Sequence, residues 1–152
     1  MTEREKEYSV RPIGFVRSPY QNRSECPRQG DSTRCKLEIL YEYAEGLKDI
    51  EAFRYIICLY YLHESTSYSL TVQTPWDTSP HGLFATRSPN RVNPIGFTVA
   101  KVISREGNAL TVTGIDALDG TPILDLKPYF PGCDSKDDAK SGWMPENSGP
   151  SS

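Results

Sequence analysis

The sequence predicts a mainly β fold, a small closed β-barrel with short helical turns and long loops. Three observations point there. Apolar residues come in short β-branched and aromatic runs, the clearest being Tyr55 to Leu62, Y-I-I-C-L-Y-Y-L. Glycine, proline and small polar residues punctuate these runs at short intervals. No stretch sustains helical periodicity beyond a turn or two. For many short strands, closing the sheet on itself protects the edges.

The elements follow in chain order. Residues 1–9 read as a flexible N-terminus. Val10 to Arg17 alternates weakly and reads as a strand running into Ser18-Pro19-Tyr20. Residues 21–36 are polar, carry Pro27 and Gly30, and read as one long loop; loops of that length are usually functional or disordered. Leu37 to Tyr41 reads as a short strand. Ala44, Leu47, Ile50 and Phe53 recur near helical spacing around Gly46, so short helical turns fit residues 43–53. Tyr55 to Leu62 is the strongest strand, expected to be buried on both faces. Ser69 to Gln73 reads as a further strand and residues 74–82 as a turn region. Phe97 to Ile103 and Leu110 to Ile115 alternate on either side of Gly107-Asn108, which predicts a hairpin. Beyond Pro131 apolar residues thin out. The expected organisation is a flexible terminus at 1–9, a barrel domain at 10–132, and a polar tail at 133–152, partly disordered and most so from Ser148.

Bulk properties bound the function. The 152 residues suit one domain, and 37% apolar with 24% charged residues suits a folded one. No run has the length of a membrane span, and the opening M-T-E-R-E-K-E-Y is charged, so the expected address is the cytoplasm with no membrane partner. The four cysteines lack metal spacing and read as reduced thiols, with a Cys26–Cys35 loop disulfide as the minor alternative. A net charge of -3 argues against indiscriminate nucleic-acid binding, though Arg11, Arg17, Arg23, Arg28, Arg34 and Lys36 leave room for a local basic face. An ordinary mixed surface explains the same residues. With two histidines and no matching carboxylates, no metal site is expected. Gly-x-Ser-x-Gly and Gly-x-Gly-x-x-Gly are both absent.

Two stretches stand out, Gly82 to Pro94 and Asp116 to Tyr129. Each mixes Gly and Pro with charged and amide side chains, the make-up of a rigid polar ligand site. Four polar clusters result: Pro27-Arg28-Gln29, His63-Glu64, Arg87 to Asn93, and Asp116 to Asp119. Singly, Arg28 reads equally as a solvated loop cation, His63-Glu64 as a strand end, and Asp116 and Asp119 as turn formers. Arg87 and Arg91 are harder to dismiss, because arginines flanked by Ser, Asn and Pro suit carboxylate or phosphate capture.

The motifs resemble a known family. Ile13 to Tyr20 (I-G-F-V-R-S-P-Y), Pro27-Arg28-Gln29, Tyr43 to Leu47, Phe84 to Ser88, Asn93 to Gly96, Asp116 to Pro122 and Asp125 to Tyr129 resemble the TsaA-like (TrmO) tRNA methyltransferases, in order, over most of the chain. One departure is Val92 before Asn93-Pro94, where the family usually has proline; this loosens the loop slightly. The resemblance implies a β-barrel that binds S-adenosylmethionine and a homodimer with sites near the interface. It also implies a tRNA substrate, methylated on N6 of the threonylcarbamoyl-adenosine (t6A) next to the anticodon, in the anticodon loop. The cofactor contacts it implies are Pro27, Arg28, Gln29, His63, Glu64, Arg87, Phe97, Asp116, Ala117, Leu118 and Asp119. Arg87 or Arg28 can clamp a carboxylate, and Asp116 or Asp119 can accept from a ribose hydroxyl or an amino group. Asn93 or Tyr129 can draw on the N6 proton, and Tyr129 can instead stack on a flipped base or simply pack the barrel. The alternatives are a non-catalytic β-barrel module for a nucleotide-like ligand or RNA, and a hydrolase using His63 with Glu64 or Asp116.

Overall fold

The computed structural model describes residues 2–27 and 30–145. Arg28, Gln29 and the tail from Ser148 lie outside the described residues.

Inward alternation builds the sheet. The strands are β1 (Gly14–Arg17), β2 (Arg34–Ile39), β3 (Tyr55–Tyr61), β4 (Thr71–Val72), β5 (His81–Gly82), β6 (Ile95–Glu106), β7 (Ala109–Thr113) and β8 (Pro122–Pro128). Six of them hydrogen-bond in the order β1-β2-β7-β6-β3-β8. β8 pairs with both β3 and β1, so the circuit of strands closes. Short 3-10 turns at Tyr41–Leu47 and Ile50–Ala52 occupy the predicted helical region, and among the described residues the one α-helix is the single turn α1 (Pro131–Asp134). The mainly β expectation holds.

The core is the inward set: Val16, Leu37, Ile39, Ile56, Cys58, Tyr60, Ala100, Leu110, Val112 and Ile123. Leu47, from the first 3-10 turn, plugs one end, and Tyr20, Ile115 and Ala117 fill the other. Burying such side chains contributes about 1.5–3 kcal/mol each before conformational entropy is charged against it.

Several strand expectations are corrected. β3 is not buried on both faces: Ile56, Cys58 and Tyr60 point in, while Tyr55 and Tyr61 are exposed. Its outward residues are apolar too, which hid the alternation. β2 begins at Arg34, inside the predicted loop, because Arg34, Lys36 and Glu38 face outward and mask inward Cys35, Leu37 and Ile39. β1 starts only at Gly14, where pairing with Ile39 begins. The predicted strand at 69–73 shrinks to two residues, and its partner β5 lies in the predicted turn region. β8 was not foreseen as a strand. Prolines at its two ends and outward Asp125 and Lys127 disguise it, yet proline is tolerated at strand termini. All four cysteines are free thiols, so no Cys26–Cys35 disulfide exists.

Gly14 is required by packing. A Cβ there would collide with the Glu38 carbonyl oxygen and crowd the Ile39 Cα, both backbone atoms that cannot rotate away. Gly14→Ala is therefore expected to destabilise the fold by about 2 kcal/mol or more, as overpacking does. A urea unfolding curve checks this; an unchanged midpoint contradicts it.

Candidate functional site

The chain between β3 and β6 leaves the ring as an arm, residues 63–94, carrying the β4–β5 sheet and a 3-10 turn at Leu83–Ala85. Its base is closed by the Leu62 amide donating to the Pro94 carbonyl at 2.7 Å and the Ser65 hydroxyl donating to Asn90 Oδ1 at 3.0 Å. A cavity of about 790 Å³ lies between the arm and one end of the ring. Its walls come from four places: Arg23, Cys26 and Pro27 in the first loop; Tyr60, Leu62, Ile95, Gly96 and Phe97 on the ring; Trp76 and residues 86–89 and 91 on the arm; and Asp116 and Ala117 after β7. That size lies within the range of roughly 300–1,000 Å³ usual for cofactor sites.

The two arginines are sorted by their partners. Arg91 Nη1 donates to the Thr86 carbonyl at 2.9 Å and to the Ser88 carbonyl at 3.0 Å, so its guanidinium holds the loop in shape. Arg87 is exposed, with its guanidinium 5.7 Å from the Phe97 ring centroid at the cavity wall. Such a cation over an aromatic face is held in place while its donors still point at solvent.

Asp116 is the cavity's carboxylate. Thr98 Oγ1 donates to its Oδ1 at 2.8 Å. Burial raises its pKa above the ordinary carboxyl value, against the opposing pull of the Thr98 hydrogen bond and of Arg23 and Arg87. Beneath it sits the Tyr60 hydroxyl, fully buried and without a hydrogen bond of good geometry, although Thr98 and Cys58 flank it. Burial pushes that phenol well above its usual range. The Cys58 thiol is driven by burial to about 12 and Cys35 to about 11, and the half-buried Cys26 thiol is raised as well. These three stay protonated, so none is a ready thiolate nucleophile.

The turn after Asp116 is fastened to the end of β1. Ser18 Oγ donates to the Ala117 carbonyl at 2.9 Å, the Ser18 amide donates to Asp119 Oδ1 at 3.1 Å, and the Asp119 amide donates to the Tyr20 carbonyl at 2.8 Å. The Leu118 carbonyl accepts from the Thr121 hydroxyl at 2.7 Å. Two sequence motifs distant in the chain thus form one unit.

Of the predicted site residues, Pro27, Arg87, Phe97, Asp116 and Ala117 come together around the cavity. Leu118 and Asp119 sit behind it, in the fastened turn. His63 and Glu64 are exposed beyond the end of β3, 3.5 Å apart, and do not line the cavity. Asn93 is exposed at the base of the arm, its carbonyl accepting from the Ile95 amide at 2.7 Å. Tyr129 packs edge-on against Tyr55 at 6.4 Å, at the other end of β3, about 17 Å along the strand from Tyr60. Arg28 and Gln29 are outside the described residues. Thr98, Tyr60, Arg23 and Trp76 were missed. For Thr98 a signal existed: it sits two residues before inward Ala100, so a polar residue was facing the interior. Among the described residues no cluster of His, Cys, Asp and Glu could hold a metal ion, and no helix is long and apolar enough to cross a membrane.

The sequence matches the family model of the tRNA-methyltransferase O N-terminal domain over residues 15–135. The chain belongs to this family. Within it, a relative from Archaeoglobus fulgidus, described as a probable S-adenosyl-L-methionine-binding protein, is 48% identical over 139 residues, 90% of this chain and 38% of the relative. The mouse tRNA (adenine(37)-N6)-methyltransferase is 36% identical over 134 residues, 82% of this chain and 31% of that protein. The chain thus spans well under half the length of either. The crystal structure of TrmO from Pseudomonas aeruginosa superposes with a TM-score of 0.77 at 34% identity, covering 92% of this chain and 64% of the other. The family match spans the ring, the arm and the fastened turn, so every cavity wall lies inside it.

Asp116 gives the site a pH signature. Its folded-state pKa is raised, so the folded protein holds the proton more tightly than the unfolded chain. That stabilisation is present below the ordinary carboxyl pKa and is lost as pH rises through the folded-state value. Asp116→Asn carries no such titration. Relative to the parent protein, it is expected to gain stability as pH is raised from about 3 to 7. Urea midpoints at both pH values test this; a constant difference means Asp116 titrates normally.

Proposed function

We propose that the protein is an S-adenosylmethionine-dependent methyltransferase acting on N6 of threonylcarbamoyl-adenosine next to the anticodon in tRNA. The observation that carries the reading is the cavity itself. In a member of this family, it unites an exposed arginine, a backed carboxylate, an aromatic wall and a volume suited to a cofactor.

The residues fit S-adenosylmethionine. Arg87 suits the carboxylate of the amino-acid head, and the free oxygen of Asp116 suits its ammonium or a ribose hydroxyl. Phe97 and Ala117 offer apolar surface to the rings, with backbone groups nearby for the adenine edge. When bound, the cofactor supplies an electrophilic methyl group on its sulfonium. The chain's work is alignment and water exclusion: it must hold the acceptor amine on the sulfonium axis in a partly desolvated cleft. Arg23 and Arg91, on the same walls, put positive charge where RNA phosphates would approach, despite the net charge of -3.

Methylation releases the N6 proton to solvent, and the Asn93 side-chain oxygen, exposed at the base of the arm, is proposed to draw on that N–H as a hydrogen-bond acceptor. Tyr129 lies too far along β3 to act within one chain, so a role for it requires a second copy. The proposed assembly is a homodimer. The outer face of β3 and β6 supports it, with Tyr55, Tyr61, Ile95, Phe97 and Val99 all exposed on adjacent strands.

The test is titration of the protein with S-adenosylmethionine by calorimetry, followed by methyl transfer to t6A-containing tRNA. Arg87→Ala is expected to weaken cofactor binding by about 10- to 100-fold, the usual worth of a charge-assisted hydrogen bond. Asn93→Ala is expected to keep binding and lose turnover. Saturable binding without any methylated product would favour a non-catalytic binding module. Unchanged turnover in Asn93→Ala removes that residue from the chemistry.

A further inference from the structure

The segment after α1 is polar and largely exposed, yet Trp143 is half-buried. It folds back onto the arm. Its indole Nε1–H donates to the Ala85 carbonyl at 2.7 Å. Its ring stacks on His81 with centroids 3.9 Å apart and 14° between planes, and packs against Trp76 at 6.5 Å. His81 is itself tied to Asp77 at 2.8 Å. One side chain therefore grips the arm at the Leu83–Ala85 turn, at β5 and at the cavity wall.

Beyond the closure at its base and the internal Arg91 hydrogen bonds, little burial restrains the arm. β4 and β5 share two residue pairs, and Leu83 is the arm's one fully buried large side chain among the described residues. Segments with so little burial open at low free-energy cost. Arg87 lies two residues past the gripped turn, after its cap Thr86, and its place over Phe97 depends on where that turn sits. Trp143 lies beyond residue 135, where the family match ends.

We infer that Trp143 is a positioning residue: it braces the arm from the C-terminal segment and so holds Arg87 at the mouth of the cavity. Without the brace the arm spends less time in the competent placement, and apparent ligand affinity falls by that fraction. The affinity part of this inference rests on the S-adenosylmethionine reading; the bracing part does not.

Two measurements on the whole chain test it. The first is amide hydrogen exchange in Trp143→Ala. The Leu83 and Thr86 amides, which donate to the Leu70 and Leu83 carbonyls, are expected to exchange about tenfold faster, while amides of β2, β3 and β7 stay as they were. Trp143→Phe, which keeps the stack and loses the indole donor, is expected to fall between, and it carries the test if the alanine variant does not fold. The second is S-adenosylmethionine titration of Trp143→Ala, Arg87→Ala and the double variant. Trp143→Ala is expected to weaken binding about tenfold, and the double variant no more than Arg87→Ala alone, because the brace acts through Arg87. Unchanged exchange in the arm overturns the inference, as does a double variant whose loss is the product of the two single losses. Faster arm exchange in a protein that never binds S-adenosylmethionine upholds the brace and sinks the cofactor reading instead.

Discussion

The pairing of β8 on both its edges is the constraint on which the structure depends. β8 meets β3 on one side and β1 on the other, over a register that shifts at Leu59/Tyr60. Closure brings the residues just before β8 against those just after β1. Only then can Ser18 reach the Ala117 carbonyl and Asp119 reach the Ser18 amide. Asp116 is thereby carried to the ring's end, over Thr98 and Tyr60. Without β8 the ring would have two open edges, and the cavity would lose its carboxylate wall.

Stability and chemistry are divided between two parts of the molecule. The ring holds nearly all of the buried apolar side chains. The arm holds Arg87 and Arg91 and buries little beyond Leu83. This division is common where a rigid scaffold presents a loop that must admit a ligand. Arg91 and Trp143 answer the same problem from opposite sides. Arg91 stiffens the loop internally through two carbonyls, and Trp143 pins it from outside. Residue 92 of this loop is valine, not a ring-locked proline, which leaves the stiffening there to hydrogen bonds.

The cavity floor pays in stability for polarity. A desolvated Asp116 and an unpaired Tyr60 hydroxyl are both costly groups to bury. Thr98 offsets part of the cost with its hydrogen bond, and the cations Arg23 and Arg87 each offset a smaller part at longer range. Their convergence at one place, in a mostly apolar interior, is what makes this cavity the candidate site.

The sequence alone determined the class of the fold and the pieces of the site. Period-two alternation in β6 and β7, the Gly107-Asn108 turn, and the absence of sustained helical spacing were local signals, legible without neighbours. So were the Arg- and Asp-rich motifs, because Gly and Pro packed among charged groups make a poor core. Tertiary structure decided the rest. β2 and β8 read as polar because their outward faces are charged, and only pairing shows the inward face. Which of the two cavity-wall arginines is spent on carbonyls and which stands over the Phe97 ring is a matter of geometry within one short loop. The separation of Tyr129 from the cavity depends on strand length and register. The grip of Trp143 on Ala85 links residues 58 positions apart, and contacts of that range leave no trace in local composition or spacing.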